Sequence, residues 1–270
     1  TTIFQVPETF ITQGVEHSTR FSRLLAETNP ATGRRCKISG SPHYADLWST
    51  PIAMDLIMLM DTLGEHEFVE PYLEIFKDEQ GTVTPPGDAF RLHPGYLSSP
   101  ALYKSIDWLP DNGALLYTLS MHGLLSGDAD YIARFTDTIV KSCDWIKTSR
   151  ALKGHGGYEG VLPAAVATDL GNRIQAVWTD GWNYKGLCAA VRLLTRISHP
   201  RASEFEREAR DYKAAYQVAL RDKCRSMPLW KDARGAEHVL VPTALSGDKR
   251  GETRHAFYLD AGPLLLVFSG

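Results

Sequence analysis

Three times along the chain, a stretch that is apolar on nearly every side is followed by one that is apolar on a single face. Residues 52–63 (IAMDLIMLMDTL) predict a helix buried all round, with Gly64 where a C-cap glycine belongs. Residues 65–80 then place Phe68, Val69, Tyr72, Leu73 and Phe76 on one stripe, which predicts a helix with one side in water. The pair recurs as 114–125 followed by 128–149, where Tyr131, Ile132, Phe135, Ile139 and Cys143 fall in register. It recurs again as 184–197 followed by 203–223, with Phe205, Ala209, Tyr212, Tyr216 and Leu220 as the stripe and a Ser203/Glu206 capping box at the start. A fourth apolar run, Leu264-Leu265-Leu266-Val267-Phe268, has no partner after it. Period-2 alternation is confined to short pieces near Val161 and Val239–Val241, so the chain reads as all-α.

Buried helices alternating with half-exposed ones pack as an inner layer wrapped by an outer one. Chain direction then makes the inner helices parallel, with all their leading ends on one side. Each lead-in carries rings and acids: Tyr44, Asp46 and Trp48; Trp108 and Asp111; Trp178, Asp180 and Trp182; Tyr258 and Asp260. Flat rings stack on sugar faces, and carboxylates serve sugar hydroxyls or acid–base chemistry.

Composition narrows the field. Net charge is −3, with 29 basic and 32 acidic residues scattered along the chain, so nothing suggests nucleic acid. No apolar run reaches the roughly 18 residues of a membrane span. Cys36, Cys143, Cys188 and Cys224 form no CxxC pair and read as reduced, mostly buried thiols. The nine histidines show no close ligand spacing, and neither HExxH, a Walker A loop, GxSxG nor GxGxxG occurs, so neither cofactor nor essential metal is expected. Composition does not distinguish a cytoplasmic from a secreted protein.

Two passages resemble the six-hairpin glycosidase superfamily, the (α/α)6 toroid of glucoamylase-like, trehalase-like and rhamnosidase-like enzymes. One is Tyr44-Ala45-Asp46-Leu47-Trp48-Ser49-Thr50-Pro51 with its following helix pair. The other runs from Gly157-Tyr158-Glu159-Gly160-Val161-Leu162-Pro163 through Thr168-Asp169-Leu170 to Trp178-Thr179-Asp180-Gly181-Trp182. The resemblance implies a toroid over residues 41–270, preceded by an unassigned segment 1–40. It implies about three and a half hairpins of six, with the remaining hairpins expected in a longer parent chain.

It also implies glycoside hydrolysis by two carboxyl groups, in most of these families with inversion, the pair standing about 6.5–9.5 Å apart around a water. Glu159, on a loop between an outer and an inner helix, is the expected general acid. Asp180 sits at a helix N-terminus whose dipole favours the anion, which suits a base, a hydrogen-bond acceptor or a plain N-cap. Asp169 is a further catalytic candidate. Asp46 and Tyr44 match the family's contact to the terminal sugar, and Trp48, Trp108, Asp111, Arg173, Trp178, Trp182, Tyr258 and Asp260 complete the expected substrate contacts. Two rival readings remain. One is a lyase, epimerase or phosphorylase on the same fold, drawing on Tyr158, His155 and Arg173; the other is a non-catalytic helical-repeat binding module.

Overall fold

The structure is a computed structural model that describes residues 4–28, 33–40, 47–98, 107–168, 171–247, 266 and 269–270. The alternation of helices dictates its architecture. The first inner helix opens as α2 (Ser49–Ile52), continues through a π-helical segment (Ala53–Met60) and tightens into a 3₁₀ turn (Asp61–Leu63). Gly64 ends it in the left-handed conformation at φ 82°. Its outer partner is broken into α3 (His66–Val69), a 3₁₀ turn (Glu70–Tyr72) and α4 (Glu74–Asp78), Pro71 being the interruption. Two regular hairpins follow. Inner α5 (Pro110–Ser126) pairs with outer α6 (Ala129–Arg150), and inner α7 (Val177–Arg196) with outer α8 (Ala202–Arg225).

The expected order of inner and outer helices in (α/α) hairpins is what the structure has. The inner helices begin earlier than expected, α5 by four residues and α7 by seven, so their aromatic and acidic lead-ins lie within the first turns. Asp128 caps α6 by accepting from the Tyr131 amide at 2.8 Å. The expected Ser203/Glu206 box is not formed. Arg201 precedes α8 with no side-chain cap, since a guanidinium has no acceptor for the helix amides, and it bridges Glu204 and, at 2.5 Å, Asp144 on α6. The fourth apolar run lies mostly outside the described residues.

Segments outside the hairpins are short. The N-terminal segment holds α1 (Thr9–Leu24) and the antiparallel pair β1 (Ala26–Thr28) and β2 (Arg35–Lys37). Strands β3 (Ala165–Val166) and β4 (Arg173–Ala176) pair antiparallel, and β4 runs straight into α7. Strands β5 (Leu229–Lys231) and β6 (Glu237–Val239) form a hairpin, and β7 (Ala244–Ser246) adds to β4.

The inner helices are parallel. Trp48 meets Trp108 at their leading ends, and Asp61 meets His122 at their trailing ends. Between α5 and α7, Asn112 bonds Asn183 near the start while Gly123 faces Leu193 further along. Glycine permits the closest approach: a Cβ on Gly113 would stand 2.3 Å from the Asn183 nitrogen, and one on Gly186 2.4 Å from the Gly113 carbonyl. Backbone cannot yield as a side-chain tip can. Gly113→Ala is therefore expected to destabilise the fold by about 2–3 kcal/mol, measured as a lower urea midpoint. An unchanged midpoint would show that the two helices are not in backbone contact.

Candidate active site

A buried polar lattice fixes the leading ends of α5 and α7. The Asn112 amide donates to Asn183 Oδ1 at 3.0 Å, while its own Oδ1 accepts from the Leu97 amide and the Ser142 hydroxyl. Asn183 donates to the Leu109 and Thr179 carbonyls. This Asn pair, absent from the sequence-based candidates, locks the two helix starts in register. Its signal in the sequence was an Asn just ahead of each of the apolar stretches 114–125 and 184–197, and a buried amide needs a partner.

Asp180 stands in the opening turns of α7 and is wholly buried. Its Oδ1 accepts from the Tyr212 hydroxyl on α8 at 2.7 Å and from the Leu162 amide at 3.1 Å. Its Oδ2 makes no hydrogen bond among the described residues. Burial pushes the carboxyl up to about 6, although the bonds from Tyr212 and Leu162 and the charge of Arg150 pull the other way. The sequence left a base, a hydrogen-bond acceptor or an N-cap open here. Asp180 accepts two hydrogen bonds, and burial lets it retain a proton to higher pH than an ordinary carboxyl.

The surroundings of Asp180 come from three elements. Gln175 on β4 binds the Tyr158 amide and the Tyr158 and Leu162 carbonyls, and accepts from Ser246 on β7. Arg150, at the end of α6, donates to the Gly160 carbonyl, pairs with Glu208 and Asp211, and lies 4.2 Å over the Tyr212 ring. Loop 158–162 is thus pinned from both sides, and with it the amide that holds Asp180.

Asp111 occupies the first turn of α5 and is also buried. Burial raises the Tyr96 hydroxyl well above its usual range, and the charges of Asp107 and Asp111 add to the shift. Trp48 and Trp108 are half-buried with ring centroids 4.7 Å apart. Trp178 is half-buried and meets Trp182 edge-on. Trp182 itself is fully enclosed, with Tyr117 on another side, and packs as a core residue.

Glu159 does not have the setting an acid needs. Its side chain is 52% exposed and paired with Lys153 at 2.9 Å, and the hydrogen bond from Lys153 leads the effects that hold it below the usual carboxylate range. Arg173 is exposed and paired with Asp88 at 2.9 Å. It borders an open cavity of about 490 Å³ that Lys153, His155 and Pro163 also line. The candidates Tyr44, Asp46, Asp169, Tyr258 and Asp260 lie outside the described residues. Among the described residues, the potential metal ligands Asp61, His66 and His122 gather away from this end.

No protein-family model matches the chain, and no curated protein matches it in sequence. Solved structures do. A glycosidase variant aligns over 78% of this chain and 57% of its own length at 14% identity, with a TM-score of 0.49. The unsaturated glucuronyl hydrolase of Bacillus sp. GL1, described as responsible for the degradation of glycosaminoglycan, aligns over 98% of this chain and 70% of its own at 15% identity and TM-score 0.47. A polysaccharide lyase aligns over 85% and 62%, at 12% identity and TM-score 0.41. The chain therefore spans little more than half the length of the first of these. No helix among the described residues is long and apolar enough to cross a membrane.

Proposed function

We propose that the protein is a glycoside hydrolase in which Asp180, not Glu159, is the proton donor. The observation that carries this reading is a wholly buried carboxyl held by Tyr212 and Leu162 on one oxygen, with its pKa pushed up to about 6. A general acid must be protonated at working pH, and burial supplies that state. Asp111, in the first turn of the adjacent parallel helix, is the partner carboxylate. Both stand in the first turns of parallel helices in backbone contact, and an inverting mechanism requires about 6.5–9.5 Å between them.

In the reaction, substrate binding must open the enclosed Asp180 carboxyl at its unbonded Oδ2, and its proton then passes to the glycosidic oxygen as the bond to the anomeric carbon breaks. Water adds to that carbon from the opposite face and gives its proton to Asp111, and proton exchange with solvent resets both groups. Asp46, Tyr44, Trp48, Trp108, Trp178, Tyr258, Asp260 and Arg173 remain proposed carbohydrate contacts, and Asp169 a proposed auxiliary acid.

The test is turnover of a panel of aryl glycosides against pH. Turnover is expected to fall tenfold per unit above about pH 6 as Asp180 ionises, and Glu159→Gln is expected to stay within about twofold of wild type. Loss of activity in Glu159→Gln would return the acid role to that loop. A second reading, a lyase, draws on His155, whose ring nitrogens are buried without a hydrogen-bond partner among the described residues, beside the cavity that Arg173 borders. It requires an unsaturated uronate product, seen by ultraviolet absorbance, that disappears in His155→Ala.

A further inference from the structure

We propose that Asp61, His66 and His122 form a binding site for a divalent transition-metal ion of the zinc type, joining the trailing ends of the first inner helix and α5. One donor atom from each of the three lies within 4.8 Å of the others. Asp61 Oδ1 stands 2.6 Å from His66 Nδ1, and both Asp61 oxygens stand 3.1 Å from His122 Nδ1. In a tetrahedral zinc site with bonds of about 2.0–2.1 Å, neighbouring ligand atoms are roughly 3.4 Å apart, so the two Asp61–His pairs need to open by less than an ångström. A carboxylate with two imidazoles is a donor set that suits zinc and its neighbours.

The remaining nitrogen of His122 supplies an independent reason. His122 is fully buried and its Nε2 makes no hydrogen bond among the described residues, yet it faces Glu70 Oε2 at 3.9 Å. A neutral imidazole that donates Nδ1–H to Asp61 turns an Nε2 lone pair toward a second carboxylate, acceptor against acceptor. A metal on Nδ1 reverses the tautomer and directs Nε2–H at Glu70, the carboxylate–histidine–metal arrangement common around bound ions.

The ring is also held ready. Tyr131 packs edge-on against it at 4.4 Å, and the Tyr131 hydroxyl is fixed on the Leu119 carbonyl. Access exists through His66 and Glu70, whose side chains are 34% and 29% exposed. His122 lies eleven residues after Asp111 on α5, about 16 Å along the axis, so this centre is separate from the proposed chemistry. Its role is a staple: an ion held by residues 61, 66 and 122 ties the broken first hairpin to the regular second one and favours the folded chain.

The experiment is titration of chelator-stripped protein with zinc chloride, followed by calorimetry and thermal melting. One zinc per chain is expected, with a melting rise of about 5 °C or more at saturating metal, and cobalt(II) is expected to give the visible spectrum of a tetrahedral site. His66→Gln, changed at the half-exposed ligand so that the core stays intact, is expected to weaken binding at least tenfold; His122→Gln is expected to abolish the cobalt spectrum. Wild type that retains no zinc and melts unchanged, or variants that bind as wild type does, would overturn the site and leave a hydrogen-bonded triad.

Discussion

Asp180→Asn is expected to lower turnover by about 10²–10⁴-fold while leaving the protein folded. Asparagine keeps an oxygen for the Tyr212 hydroxyl and the Leu162 amide, so the bonds that position the side chain persist. What it lacks is a transferable proton. The stability effect runs in the opposite direction to the activity effect. A carboxyl raised from 3.8 to about 6 in the folded protein binds its proton more tightly there than in the unfolded chain. Between roughly pH 4 and 6 the folded state therefore holds more protons, and the stability of wild type falls as pH rises through that window. Ionising the buried group costs on the order of 3 kcal/mol above pH 6. The variant does not ionise, so its stability is expected to be flat across the window and greater than wild type at pH 8. Urea melts at pH 4, 6 and 8 beside turnover separate the two effects. A variant that is inactive and equally weakened at all three pH values would mean that Asp180 is only a structural cap.

Arg150→Ala is expected to carry the largest loss of stability, about 3–5 kcal/mol. The guanidinium is almost entirely buried and holds the Gly160 carbonyl, Glu208 and Asp211 while covering the Tyr212 ring. Truncation leaves Glu208 and the Gly160 carbonyl without that donor and opens a void against Tyr212. Arg150→Lys keeps the charge but cannot form the planar fork, so only part of the loss should be recovered. The same change reaches Asp180 through two routes, the Tyr212 hydroxyl and the Leu162 amide at the end of the pinned loop. Turnover is thus expected to drop along with the melting temperature, whereas a purely local ion pair would lower stability alone. Measuring both in Arg150→Lys, which keeps the fold more nearly intact, separates these outcomes.

Hydropathy made the hairpin order legible because a helix touched on all sides is mostly apolar, its few polar side chains such as Asn112 and Asn183 finding buried partners, while one at the rim has a polar face. Helix starts were misplaced for an equally physical reason. Trp178, Asp180 and Trp182 look like loop residues in sequence, yet they lie in the first turns of α7, where Tyr212 and the Leu162 amide bond one Asp180 oxygen and the two indoles pack edge-on. Glu159 is flagged in the sequence by its glycine-rich loop, but its proximity to Lys153 is a matter of how the loop folds back, which sequence spacing does not specify.

By itself the sequence determined the class of architecture, the division into inner and outer helices, and the concentration of rings and acids at the leading ends, since these follow from local periodicity. Only the tertiary structure decided which acid is buried and which is solvated, because desolvation and ion pairing depend on neighbours distant in the chain. It likewise decided that Asp61, His66 and His122 meet. His66 is five residues from Asp61 and His122 is 61 away, a separation bridged only by packing the first inner helix parallel to α5.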